Sequence, residues 1–215
     1  MIKLVIFDCD GVLVDSEPLA NQVMAKHISD LGWEMDGAES MRHFKGLTMV
    51  QVSEKISSHL GRHISRDWLV RFETDLYAKF RKDLKPIDGV FDLIRRLANR
   101  NISTAIASQG SLEKMQVSLG ATGLMPLFEG KVFSANMVAR PKPAPDLFLK
   151  VAHSLSIAPE HTAVIEDSLT GIKAALAAKM TTIAYDAQQT LFTACGSELP
   201  PEIIRVSTMD ELFPI

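Results

Sequence analysis

The chain has 215 residues, 47% of them hydrophobic, and a formal charge of −3, enough apolar content to bury a sizeable core. The acidic balance and the lack of any Lys/Arg cluster exclude nucleic acid and anionic membrane as main partners. Its apolar N-terminal run is broken by Asp8 and Asp10 and is too short for a signal or spanning segment, which predicts a soluble, cytoplasmic protein.

The run Lys3-Leu4-Val5-Ile6 has no polar alternation, the pattern of a central parallel strand covered on both faces. It leads into Phe7-Asp8-Cys9-Asp10-Gly11. Two carboxylates therefore arrive at the carboxyl end of a strand, where open α/β sheets bind ligands. Period-two alternation turns Cys9 away from them and into the core. Cys9 and Cys195 lie far apart and in no CxxC spacing, which gives neither a disulfide framework nor a zinc site.

Ser16 is a candidate N-cap, and Glu17-Pro18 a favourable first turn, for a helix starting near Pro18. Leu19, Val23, Met24 and His27 recur at helical spacing, as do the apolar residues of 50–60 and 68–80. The expectation is an all-helical insertion over 16–85, between residues 1–15 and 86–215. After Pro86 strands and helices alternate. The pattern predicts helices at 90–100, 112–119 (stopped by Gly120), 146–155 and 171–179, and strands at 102–107, 131–133, 162–165 and, closing the series, 181–184. Lys179 stands at a helix end that often needs a left-handed residue, so it either avoids that conformation or bears about 1 kcal/mol of strain. The alternation predicts an α/β fold, a doubly wound parallel sheet interrupted by a helical domain.

Three further polar clusters fall where later strands stop or nearby: Ser108-Gln109-Gly110, Lys142 within Arg140-Pro141-Lys142-Pro143-Ala144-Pro145, and Glu166-Asp167-Ser168. With Asp8 and Asp10 they amount to carboxylates, one hydroxyl and one ammonium at a single sheet edge, the set needed to handle a phosphoryl group with Mg²⁺. Asp8 can attack phosphorus while Asp167 helps hold the cation, and Asp10 can act first as acid and then as base. Ser108 and Lys142 can stabilise the phosphoryl oxygens. Taken singly, each cluster has a blander explanation. Ser108 would cap a helix, Lys142 would be a surface lysine, and Glu166-Asp167 would favour a helix dipole. A calcium loop is excluded, because Gly11 follows Asp10 at once.

These ordered motifs, Asp8-Cys9-Asp10-Gly11-Val12, Ser108, Lys142 with Pro143-Ala144-Pro145-Asp146, and Glu166-Asp167-Ser168, resemble the haloacid dehalogenase superfamily along the whole chain. The resemblance implies a Rossmann-like core with a four-helix cap that closes over the site and helps choose the substrate. It also implies an aspartyl-phosphate mechanism, with Mg²⁺ bound by Asp8, the Asp10 carbonyl and Asp167 and assisted by Glu166. The second carboxylate, Asp10, speaks against dehalogenation. A phosphate ester or sugar phosphate is the implied substrate.

Within the superfamily the chain is similar to the subgroup of sugar-phosphate phosphatases and β-phosphoglucomutase. Phe44-Lys45-Gly46-Leu47-Thr48 is similar to that subgroup's substrate loop, which makes Lys45, Gly46 and neighbouring His43 candidates for substrate contact, with Gln109 on the sheet side. The mutase has an arginine where Met49 stands and a histidine near Ala20, so hydrolysis of a small phosphorylated metabolite leads and mutase chemistry is second. Pro141 replaces a common glycine and removes an amide donor, leaving phosphate contact there to Lys142. A phospho-aspartate regulatory module and a nucleotide-sugar transferase stay open as other classes. Monomer is the default oligomeric state.

Overall fold

The computed structural model describes residues 1–44, 47–187 and 200–212. Six strands, β1 (Leu4–Phe7), β2 (Ser103–Ser108), β3 (Val132–Ser134), β4 (Thr162–Glu166), β5 (Thr181–Tyr185) and β6 (Ile204–Val206), form one sheet in the order β3-β2-β1-β4-β5-β6. Every adjacent pair is parallel. The strand order reverses beside β1, and in such sheets the ligand crevice lies at that switch point.

All four residues of β1 are buried, as a strand covered on both faces requires. Leu4 and Ile6 join Ala105, Phe148, Val151, Val164, Ala174 and Ala175 in one apolar cluster with α7 (Asp146–Ser154) and α8 (Leu169–Ala177). Phe7, on the alternate face, meets Phe128 edge-on at 6.0 Å between ring centres. Among the described residues this part of the chain also holds the α-helices α5 (Val90–Asn99) and α6 (Leu112–Ala121).

The chain divides into two compact units, Met1–Val14 with Pro86–Ile215, and Asp15–Lys85. The second holds α1 (Glu17–Ser29), α2 (Gly37–Phe44), α3 (Met49–Leu60) and α4 (Arg66–Asp83). Its interior is built from Val23, Ile28, Ile56, Trp68, Phe72 and Phe80. The polypeptide enters and leaves it side by side: Asp15 N–H donates to Lys85 O at 3.0 Å, and Val14 and Pro86 form an antiparallel bridge. Among the described residues no helix is long and apolar enough to cross a membrane.

Several local expectations need correction. Ser16 precedes α1 but its side chain makes no capping bond. Gly120 does not stop α6, which runs on to Ala121; the left-handed position falls to Gly123, with φ 74°. Lys179 does adopt φ 57° after α8, the strained alternative. The strand series does not close with β5, because β6 adds a short edge strand whose first two residues are exposed.

Candidate active site

The sheet register builds the site. Phe7 pairs with Ile106 on one side and Ile165 on the other, so the next residues along the three strands are Asp8, Ala107 and Glu166. Asp8 N–H donates to Ile165 O at 3.0 Å, extending the ladder by one step. Lys142 lies in the loop before α7, its bond to Pro143 is cis, and its ammonium sits on this row. Its three donors find three acceptors: Asp8 Oδ1 at 2.5 Å, Ala107 O at 2.9 Å and Glu166 Oε1. The Nζ also lies 4.9 Å from the centre of the Phe148 ring, within cation–π range.

This is a buried charge network. The Lys142 side chain is 1% exposed, and Asp8 and Glu166 are buried with it. Burial pushes the Asp8 carboxyl up, Lys142 opposes that, and the Glu166 and Asp10 charges add to it, leaving its pKa at about 7. Burial works against the Lys142 ammonium, but two facing carboxylates hold its pKa above the ordinary lysine value. Such a cluster strengthens the fold poorly for its desolvation cost, so its presence at a strand end points to chemistry.

Two glycines make room for the acids. Gly11 has φ 78°, and a Cβ there would overlap the Asp167 carboxylate. A Cβ at Gly171, in the first turn of α8, would overlap the Glu166 carboxylate. Ser168 caps α8 by accepting from Gly171 N–H at 3.1 Å while its own hydroxyl donates to Glu166 Oε2 at 2.8 Å. Its backbone N–H donates to the same oxygen at 3.1 Å. Both oxygens of Glu166 are thereby engaged within the protein.

Ser108 is the last residue of β2 and is buried; its hydroxyl accepts from Gly110 N–H at 3.0 Å. Gly110 O in turn accepts from the buried Ser134 hydroxyl at 2.7 Å, which ties the loop to the end of β3. Gln109 Nε2 donates to Lys142 O at 3.3 Å and so braces the lysine loop. Asp10 Oδ2 accepts from Lys114 Nζ at 2.7 Å. Cys9 is buried, with its thiol 3.8 Å from Ser118 Oγ, and burial pushes that thiol up.

Asp8, Asp10, Ser108, Gln109, Lys142, Glu166 and Asp167 thus gather at one edge of the sheet unit. His43 lies in α2 of the helical unit, with its ring edge-on to Trp33 at 5.1 Å and its backbone oxygen accepting from Lys55 Nζ. Lys45 and Gly46 fall outside the described residues. Lys114 and Ser134 were not foreseen. For Lys114 the available signal was Ser111, which caps α6 and fixes the helix phase by accepting from Lys114 N–H at 3.1 Å.

The donor chemistry suits a hard cation. Among the described residues no three His, Cys, Asp or Glu side chains form a ready-made cage. Magnesium rarely uses one, since it takes one or two carboxylates and completes its shell with water and substrate phosphate. Asp8 and Asp167, both oxygen donors at the ends of adjoining strands, fit that requirement.

Residues 5–185 match the family model described as haloacid dehalogenase-like hydrolase. The chain is 27% identical over 180 residues to the 6-phosphogluconate phosphatase of Escherichia coli K12, covering 83% of this chain and 80% of that protein. It is 28% identical over 185 residues to the phosphorylated carbohydrates phosphatase of Thermotoga maritima, covering 82% of each. A crystal structure of a haloacid dehalogenase-like protein of unknown function from Agrobacterium tumefaciens aligns with a TM-score of 0.82 at 32% identity, over 100% of this chain and 97% of that one.

Proposed function

The chain belongs to the haloacid dehalogenase-like hydrolase family, and within it we propose that this phosphoric monoester hydrolase acts on a sugar or sugar-acid phosphate through a phosphorylated Asp8. The observation that carries the proposal is Asp8 itself, a buried carboxylate at the end of β1 fixed by Lys142 and followed two residues later by Asp10. The substrate class draws support from similarity to two enzymes named for 6-phosphogluconate and phosphorylated carbohydrates.

In the first step an Asp8 oxygen bonds to phosphorus as the bond from phosphorus to the ester oxygen breaks, and Asp10 gives that oxygen a proton. In the second, water attacks the acyl phosphate and loses a proton to Asp10; the bond from phosphorus to Asp8 breaks and inorganic phosphate leaves. Lys142 keeps Asp8 aimed and offsets negative charge near it, and Ser108 offers a hydroxyl to a phosphoryl oxygen. Magnesium held by Asp8, Asp167 and the Asp10 carbonyl, with Glu166 alongside, would supply charge neutralisation between carboxylate and phosphate. The helical unit, through His43 and Lys45, would select among phosphorylated metabolites.

The test is phosphate release from a panel of sugar, sugar-acid and short-chain phosphates, with Mg²⁺ or EDTA, by wild type and Asp8→Asn. Release that needs Mg²⁺ and vanishes in Asp8→Asn is expected. Isomerisation of glucose 1-phosphate without net release would replace hydrolysis by mutase chemistry, and a stable phosphoprotein without turnover would make the site regulatory.

A further inference from the structure

We propose that Lys114 is a positioning residue that holds the Asp10 carboxyl in the orientation needed for proton delivery to the leaving oxygen; the proposal rests on the phosphatase reading above. Lys114 lies in the first turn of α6, and its ammonium reaches across 104 positions of sequence to Asp10 Oδ2 at 2.7 Å. Gly110 packs against the pair. A Cβ at that glycine would stand 3.4 Å from Lys114 Cδ, 3.4 Å from Ser108 Oγ and 3.8 Å from Asp10 Oδ2. The acid, the phosphate-facing hydroxyl and the lysine thus surround one side-chain-free residue.

Stability does not account for this lysine. A cation in the first turn of a helix stands at the unfavourable end of the helix dipole, where Asp or Glu would serve better. The pair is part-buried, with 26% of each side chain exposed, so desolvation offsets much of its attraction. What the contact does supply is orientation. With Oδ2 held by a charge-assisted hydrogen bond, the carboxyl is restrained from rotating, which keeps it aimed for proton exchange. The step it serves is the first one: the bond from Asp8 to phosphorus forms, the bond from phosphorus to the ester oxygen breaks, and the Asp10 proton ends on the departing alcohol.

The experiment compares kcat/KM of wild type, Lys114→Met, Lys114→Gln and Lys114→Arg on an alkyl phosphate and on p-nitrophenyl phosphate, with Mg²⁺ present and folding checked by circular dichroism. An alkoxide must be protonated as it leaves, whereas p-nitrophenolate departs unaided. Lys114→Met and Lys114→Gln should lose about 10²-fold on the alkyl ester and stay within about threefold on the aryl ester. Lys114→Arg should recover most of the loss. Equal losses on both esters, or no loss on either, would overturn the proposal while leaving the phosphatase reading intact. A wild type that hydrolyses neither ester would remove both.

Discussion

Among the described residues each unit buries one nitrogen base, and the two are treated differently. In the helical unit His27 is buried between Trp68 and Phe72, whose rings meet it edge-on at 5.9 and 5.8 Å, and its Nε2 lies 2.8 Å from Asp75 Oδ2. Asp75 itself is 59% exposed, so water solvates most of that carboxylate. In the sheet unit Lys142 is buried with two carboxylates that are buried too. The first arrangement lets a polar group leave the core through a solvated partner at little cost. The second confines three charges in low dielectric, where losing one leaves the others stranded.

The comparison can be broken most sharply at Lys142. Lys142→Met strands Asp8 and Glu166, and the expected loss is about 3–5 kcal/mol of stability together with at least about 10²-fold in kcat, read by urea unfolding and phosphate release. Next comes Gly171→Ala, whose new methyl would displace the Glu166 carboxylate and through it Lys142. About 1–3 kcal/mol of destabilisation is expected, with a fall in kcat that Ser168→Thr, which retains the hydroxyl donor to Glu166, should not reproduce. On the other side of the comparison, Asp75→Asn should cost under about 1 kcal/mol and leave phosphate release unchanged. If Asp75→Asn unfolded the protein as readily as Lys142→Met, the contrast would be wrong. The smallest effect is expected at Cys9. Its buried thiol should resist iodoacetamide in the native protein and react only as urea unfolds the sheet, as mass spectrometry of labelled peptides would show.

Much of the fold was legible because its signals are contiguous. The β1 run and its Asp-x-Asp ending stand within eight residues, and each of β2 to β5 is preceded by its own helix. Other features were hidden for physical reasons. β6 is three residues long and largely exposed, so the alternation of Ile204, Arg205 and Val206 is too short to stand out. Gly120 looked like a helix stop, yet the α6 backbone tolerates it and turns at Gly123 instead. Gly171 could be understood in sequence as close helix packing, whereas the atoms that need its space belong to Glu166. Lys114 and Ser134 were invisible because their partners, Asp10 and Gly110, are joined to them only through the sheet and the helix phase.

The paired connectors at Asp15 and Lys85 carry an evolutionary consequence. A segment whose two ends leave the sheet unit through neighbouring backbone bonds can be lengthened, replaced or lost without rethreading any strand. The strand-end acids and the inserted helices are therefore separately heritable, and descendants can trade one set of helices for another while keeping the same row of Asp8, Ala107 and Glu166.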